Sequence, residues 1–551
     1  MRFIFTLFFS AISLFTLGQS ATWIHTFGLN ASKTIDAMTT DSDGNVYTVG
    51  YFSGTIDFDP SVNEHSLTAS STYNSYLLKL DENGNFIYVR QFTGDGLLAP
   101  KSIKINSQGQ IILAGILTGT VNFNPLTFGT PVTATFIDSF ICSLNDDGSL
   151  NWIRSFGNTY ECRAYDMTVD ANDNVFIVAS FYNNLNMNDI AGPEISTEFG
   201  PNAFIAKYHS NGDFEYVKKI DSVNLANAKC LAADSEGNVY VGGSFSSDLD
   251  FEGLTLNCLN DGELDGYVIK LNSTGLPVWG KSFVGDGLDE IVKITCNANG
   301  DVFFAGRIFG TIDLDPESTE EMYTTNVENT AVWKYSSEGQ LLFADGLNCN
   351  ASFGVGTRPF AIAMNNNGEC FITGDFSETI TFGSSTLMYN FSGYDAYLLK
   401  YNSDGTPGWT GLIRGDMANA GTAIALHPSN DLFLGCSIGG TLDINPFEPN
   451  QQITMSAVMN TAVMRLSNST INIEETTPFS FNAYPNPCST SIELNWHNQP
   501  KSIQIINSIG VEVMTIEHPQ KRIELSNLSN GQYMLMLNFD DHFETKTILK
   551  Q

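Results

Sequence analysis

Seven times along this chain one short strand pattern returns: Asp or Asn, a small residue, an aromatic in most copies, an aliphatic, a variable position, and then Lys in most copies. The copies run Asn74 to Lys79, Asp138 to Ser143, Asn202 to Lys207, Asp265 to Lys270, Asn329 to Lys334, Asp395 to Lys400 and Asn460 to Arg465. Their first residues lie about 64 positions apart. A fixed period of that size marks an array of supersecondary units, each needing a neighbour to cover its apolar faces.

Each copy sits in a unit of four strand-like runs. In the first unit strand A is expected over Thr34 to Thr40, and the turn Asp41 to Gly44 leads into strand B, Asn45 to Phe52. A segment of about twenty residues reaches strand C at Ser75 to Leu80, and the turn Asp81 to Gly84 leads into strand D, Phe86 to Phe92. Gly, Asn and Asp tolerate the positive φ of tight reversals, so A–B and C–D read as hairpins. Seven A-B-C sets are present, but only six D strands follow them. The seventh stands at the other end: Thr22 to Gly28 reads TWIHTFG, close to NWIRSFG at Asn151 to Gly157. A ring of four-stranded blades closes in this way, because the first strand pairs the edge that the last blade leaves open. The expected fold is an all-β, seven-bladed β-propeller closed by an N-terminal D strand.

The run DGNVYTVGYFSGTIDFDP at Asp43 to Pro60, with SYLLKLDENGNFIYVRQF at Ser75 to Phe92, resembles the SBBP-type seven-bladed β-propeller repeat. The resemblance spans roughly residues 22 to 467 and implies a scaffold with no single activity attached. The third unit departs most, with Asn172 to Asn174 in its A–B turn and no glycine there.

Four segments are expected: a signal peptide over 1–20, the propeller over 21–467, a linker over 468–478, and a small Ig-like β-sandwich over 479–551. Arg2, the apolar run Phe3 to Leu17 and the small residues Gly18, Ser20 and Ala21 have the order of a secretory signal, and the run is too short for a membrane anchor. The last segment alternates in strands separated by Asn/Ser/Gly and Asp-Asp turns. Tyr484, Pro485, Asn486 and Pro487 at its start, Gly510, the Gly531-Gln532-Tyr533 step and a basic final strand ending at Lys550 resemble the type A C-terminal sorting domain of the Bacteroidota type IX secretion system. That resemblance implies contact with the secretion machinery, passage through the periplasm to the outer-membrane surface or medium, and usually removal of the domain on arrival.

The formal net charge is -34, and the last 73 residues hold five Lys or Arg against seven acids, so the acidity belongs to the repeats. Such a surface repels phosphate backbones and anionic lipid, which argues against nucleic acid and membrane partners. The nine cysteines form no CxxC pair, and those within expected strands, such as Cys142, Cys370 and Cys436, read as small core residues.

Short A–B and C–D turns share one face of such a ring, and the long B–C segments share the other with the D–A connections. Function is expected on the loop-rich face. B–C segments open with acidic or amide pairs, among them Asp57 with Asp59 and Asp313 with Asp315. Residues two apart on a strand share a face, so such a pair is a candidate for Ca²⁺, with capping of a proline turn as the competing role. No cofactor is required. The recurrent Asp or Asn before strand C (Asn74, Asp138, Asn202, Asp265, Asn329, Asp395, Asn460) reads as a scaffold acceptor for loop N–H groups. No HExxH, GxSxG or P-loop occurs, and the seven histidines share no blade position. The expected function is a monomeric binding or adhesion scaffold for an extracellular glycan or protein, with a polysaccharide-acting hydrolase or lyase as the alternative.

Overall fold

The computed structural model describes residues 21–27, 32–127, 129–187, 194–197, 201–258, 262–315, 322–349, 355–388, 393–447, 452–454, 460–468, 481–484, 486–496, 499–507, 512–539 and 543–551. The expected signal peptide, nearly all of the expected linker, Pro485 and Gly510 lie outside these residues. The chain divides into two compact units, Met1–Thr470 and Ile471–Gln551. Both are built from β-strands, with no helix among the described residues.

In the first unit the strands form successive four-stranded antiparallel sheets. Sheet 1 runs Ala37–Thr40, Val46–Phe52, Asn74–Leu80, Phe86–Gly94 in the order A, B, C, D, and five further sheets repeat it. The last, sheet 7, takes A, B and C from Ala420–Leu426, Leu432–Ile438 and Asn460–Leu466, and its D strand is Ala21–Phe27. Trp23 pairs with Arg465, His25 with Val463 and Phe27 with Thr461. B and C strands are buried along almost their whole length, as in Val175–Phe181 and Asn202–Tyr208, because neighbouring sheets cover both of their faces. Each apolar cluster accordingly draws on two adjacent sheets. Val49 and Leu77 of sheet 1 pack with Leu113 and Phe140 of sheet 2, and Phe433 and Val463 of sheet 7 pack with Val46 and Leu78 of sheet 1, so the series returns to its start.

The A strands touch one another around the inside of this ring. In sheets 2 to 7 each A strand carries a β-bulge at one register position, leaving Lys101, Tyr165, Lys229, Val292, Phe360 and Thr422 without a direct partner. Asp36 fills the same place in sheet 1, where its N–H bonds Val49 O, the residue that faces Ala37. The B strand must come close here: a Cβ on Gly243 would stand 1.8 Å from Asn227 O, and one on Gly374 equally close to Arg358 O.

On the turn face, one latch recurs between sheets. The D-strand aromatic of one sheet donates to a carbonyl in the C–D turn of the next: Trp23 Nε1 to Glu82 O at 3.0 Å, Tyr88 OH to Asp146 O at 2.7 Å, Trp152 Nε1 to Ser210 O at 2.9 Å, Trp279 Nε1 to Ser337 O at 3.0 Å. The cation ending the C motif reaches the same turn, as in Lys79 to Asp146, Lys270 to Ser337 O and Arg465 to Glu82 O. Sheet 7 has no C–D turn to offer, and Lys400 pairs instead with Glu369, which also accepts from Asn468 Nδ2 at 3.1 Å. The A–B turns keep a positive φ at one position. Asp173 at 63° and Asn430 at 69° supply it where Gly44 and its counterparts do elsewhere, so the third unit keeps its turn without glycine.

The structure adds one feature to the expected plan: the B–C segments fold as hairpins of their own. Thr55–Asp57 pairs with Ser66–Thr68, and Thr120–Asn122 with Pro131–Thr133. Ile56 and Phe58 turn inward while Thr55 and Asp57 face solvent. The second unit has a three-stranded sheet, Phe481–Tyr484, Ser491–Trp496 and Arg522–Glu524, and a four-stranded sheet, Glu512–Glu517, Ser502–Asn507, Gly531–Asn538 and Phe543–Lys550, joined by a core that includes Ile492, Leu494, Ile503 and Leu535. Cys142, Cys162, Cys230, Cys370, Cys436 and Cys488 are buried thiols.

Removing Ala21–Phe27 strips the Asn460–Leu466 edge of its partner and uncovers Phe433. The expected result is aggregation, or a fall of at least about 10 °C in thermal unfolding. A soluble monomer with unchanged Tm would overturn the closure.

Candidate functional site

Strand direction alternates within each sheet, so B–C and D–A connections emerge together opposite the latched turns. This loop-rich face carries the exposed aromatics of the first unit. Tyr73, Phe136, Tyr160, Tyr182 and Phe309, between 38% and 54% exposed, are its strongly exposed aromatic side chains among the described residues, and all five lie in B–C or D–A connections. Exposed Val223, Leu288 and Met417 stand in D–A connections beside them. Further in, toward the ring axis, charged pairs line the upper ends of the inner strands. Arg163 binds Glu161, Arg307 Nε lies 2.5 Å from Glu328 Oε1, and Arg358 holds Asp375 through both Nε and Nη2. These bonds hold the Glu161 carboxyl below its usual range, whereas burial outweighs Arg358 and raises Asp375. Lys229 Nζ sits 4.3 Å from the Tyr165 ring, a cation–π contact between two of the bulge residues.

The recurrent Asp or Asn residues expected before strand C open that strand in five sheets and the closing one, and all seven are buried. Asn74 Oδ1 accepts from Ser70 N at 2.6 Å and from Gln91 Nε2 at 2.8 Å; Asp138 accepts from Thr135 N at 2.9 Å. Asn202 Oδ1 accepts from Ser222 N, and Asp395 Oδ1 from Gly415 N at 3.0 Å. Asp265 accepts from Gly285 N, and Asn329 Nδ2 donates to Thr325 Oγ1. Asn460 is fully buried at the head of the closing sheet. A second recurrent acceptor is the first residue of the A–B turn: Asp41, Asn106, Asp170, Asp234, Asn297 and Asn365 each accept the N–H of the residue four places on. Its sequence signal was the spacing Asp41/Asn45, Asp170/Asn174, Asp234/Asn238.

The acidic pairs sit where a hairpin strand gives way to its loop. Asp57 Oδ1 accepts from Asp59 N at 3.0 Å and His65 N at 2.8 Å, Asp59 Oδ1 from Ser61 N at 2.9 Å, and Asp313 Oδ1 from Asp315 N at 3.0 Å. Among the described residues no three His, Cys, Asp or Glu side chains converge as a metal-binding group. Backbone N–H groups already engage these oxygens, and we infer a capping role. Chelation is expected to leave the thermal midpoint within about 1 °C; a larger drop that Asp57→Asn with Asp59→Asn abolishes would assign a Ca²⁺ ion to the pair.

In the second unit Asn486 Oδ1 accepts from Leu549 N at 2.8 Å and Tyr533 OH donates to Ser529 O at 2.9 Å. Lys550 is buried, Tyr484 is half exposed, Gly531 opens the strand Gly531–Asn538, and Pro487 lies between Phe481–Tyr484 and Ser491–Trp496.

Residues 482–551 match the secretion system C-terminal sorting domain. The protein is therefore exported through the type IX secretion system to the cell surface or extracellular space, and its C-terminal unit engages that machinery. Over 393 residues the chain is 21% identical to an uncharacterized WD repeat-containing protein of Acanthamoeba polyphaga mimivirus, covering 59% of this chain and 28% of that protein. The chain thus spans well under a third of the length of this relative. Among solved structures, an ulvan lyase bound to -[GlcA(1-4)Rha3S]- aligns at 11% identity, TM-score 0.36, over 76% of this chain and 92% of its own. A glucose dehydrogenase aligns at 11% identity, TM-score 0.31, over 66% and 95%. The Neurospora crassa Pan2 WD40 domain aligns at 9%, TM-score 0.25, over 56% and 89%. Among the described residues no helix is long and apolar enough to cross a membrane.

Deleting residues 479–551 is expected to strand the repeat unit in the periplasm, folded, because its sheets close upstream of the cut. Cell fractionation and thermal unfolding of the truncated protein check both halves; surface delivery of the truncated chain would overturn the assignment.

Proposed function

We propose that residues 21–467 are a seven-bladed β-propeller of SBBP type and that 479–551 are a small Ig-like sandwich. The mature monomer then acts as an extracellular binding scaffold whose loop-rich face takes a glycan or protein. The signal peptide over 1–20 starts the export route, the sorting domain completes it, and cleavage falls in the 468–478 linker. One observation carries the binding reading: the strongly exposed aromatics of this unit are collected on a single face. Aromatic rings offer large contact area at small entropy cost and stack on sugar or side-chain surfaces alike. The hydrolase or lyase alternative needs a carboxylate base: Glu290 and Glu328 on this face are held by Lys229 and Arg307, and Asp289 beside them is the carboxyl it would have to use.

The test is a panel of polysaccharides and extracellular proteins scored for retention and for product release. Retention without product is expected. Tyr160→Ala or Phe136→Ala should weaken it about tenfold each, equivalent to ~1.4 kcal/mol, while Ser42→Ala on the turn face leaves it unchanged. Product release that persists in purified protein would instead establish the enzyme.

A further inference from the structure

Three residues before each bulge residue lies one buried register position at the start of strand A. In several sheets its backbone N–H donates to the residue just before strand C of the preceding sheet, as in Cys162 to Ile137 O, Asp289 to Leu264 O and Asn419 to Tyr394 O. Apolar or small side chains suit such a place, and Leu98, Cys162 and Ala226 supply them. Thr357 and Asn419 are polar but satisfied, through Asn329 and Thr330 in one case and through Asp395, Met417 O and Gly439 N in the other. Two charged residues remain. Lys33 is enclosed by Phe27, Phe58 and Tyr76. Asp289 is 1% exposed, and its carboxyl, close to the Phe309 backbone amide, has no side-chain or cationic partner among the described residues.

Asp289 differs from Lys33 in lining a cavity of about 230 Å³ on the loop-rich face. Leu264, Leu288 and Phe309 give that cavity apolar walls, and Leu288 and Phe309 are exposed at its edge. Its other polar walls are Glu290, Arg307 and Glu328, and Arg307 is already neutralised by Glu328. The volume falls below the roughly 300–1,000 Å³ of sites that bury drug-sized ligands, and matches a single side-chain-sized group. An unpaired buried carboxyl at the end of an apolar slot, in an acidic protein, is the complement of a cation on an aliphatic stem.

We propose that this cavity binds the ammonium or guanidinium of a lysine or arginine side chain presented by a protein partner, with Asp289 as the counter-charge. The proposal rests on the loop-rich face being a binding surface and narrows its ligand from glycan or protein to protein.

Burial pushes the Asp289 carboxyl up to about 8; Asp265, Asp286 and Glu263 add to the rise, and the Phe309 backbone amide opposes it. A cation selects the ionised form, so binding tightens as pH rises toward 8 and releases a proton. The sign for stability is opposite. Between the unfolded carboxylate range and pH 8 the folded chain holds a proton that the unfolded chain has lost, so the free protein loses stability as pH rises through that window. Asp289→Asn removes this dependence and should raise the thermal midpoint at neutral pH.

The test is calorimetric titration of the full chain with N-acetyl-lysine methylamide and N-acetyl-arginine methylamide, with N-acetyl-norleucine methylamide as the uncharged match. Saturable binding of both cations is expected near pH 8.5, weakening by at least about tenfold near pH 6 as the ionised fraction falls. Norleucine and both Asp289→Asn and Asp289→Leu should abolish it, with thermal unfolding certifying that the variants fold. Absence of cation binding near pH 8.5, or equal binding by the norleucine probe or by Asp289→Asn, overturns the proposal. A protein still retained by its target through Tyr160 and Phe136 while ignoring the cations overturns this cavity alone and leaves the binding face standing.

Discussion

The antiparallel pairing of Ala21–Phe27 with Asn460–Leu466 decides whether the other sheets form a ring or an open array. An open array ends in two uncovered apolar faces and an unpaired strand edge, both of which favour association with other chains. Joining the ends of so long a chain costs conformational entropy, but that cost grows only with the logarithm of length. The gain is local and large by comparison: a full strand of ladder bonds, the burial of Phe433 and Val463, and the Trp23 and Arg465 bonds to Glu82 O. Closure therefore fixes the position of every strand end on the loop-rich face, and with it the spacing of the aromatic rim.

Latching explains why one face is available for variation and the other is not. Each C–D turn receives bonds from the previous sheet, so its carbonyls have fixed positions and its length cannot drift without losing an inter-sheet contact. The opposite connections are tied at their bases, where their hairpins pair with the end of the preceding D strand, as in Asn122 with Thr93, Asp250 with Asp221 and Asp443 with Arg414, and among the described residues their tips carry no such repeated bond. Beyond those bases they are held by internal hairpin pairing, by cross-strand threonine pairs such as Thr55 with Thr68 and Thr120 with Thr133, and by the buried acceptor that opens strand C. A hairpin that supplies its own backbone partners can change its tip without disturbing the ring.

Much of this was legible in the sequence, and the parts that were not share a cause. Strands C and D, the hairpin turns and the N-terminal strand of the last sheet could be read because each repeats at a constant offset and carries a local signal. The hairpins inside the B–C segments were missed, though Thr55-Ile56-Asp57-Phe58 alternates correctly, because three-residue strands give too few periods to separate from a loop. The bulges leave no local trace: one extra residue becomes visible only when strand A is aligned against its partner, and the residues there, from Asp36 to Phe360, have no common chemistry. The importance of Asp289 depends on that same register. In the linear chain it is one acid in Asp286-Gly287-Leu288-Asp289-Glu290.

Lys33 and Asp289 occupy equivalent places, and comparing them separates a structural solution from a functional one. Burying a charge without a partner is costly wherever it occurs, and each group responds in the expected direction, the amine lowered and the carboxyl raised. Around Lys33 the protein answers that cost itself. Phe27 comes from the closing strand, while Phe58 and Tyr76 come from sheet 1, so the ammonium lies on ring faces drawn from both sides of the seam, within 4.0 to 4.7 Å of their centroids. Around Asp289 the described residues provide no aromatic cage and no free cation, only the opposing pull of the Phe309 backbone amide, and nearby Asp265, Asp286 and Glu263 make the ionised form less favourable still. Leucine, alanine or threonine serves at this position in other sheets, so the fold itself does not demand an acid. An unanswered charge beside an accessible cavity is what remains when the answering group arrives with the ligand.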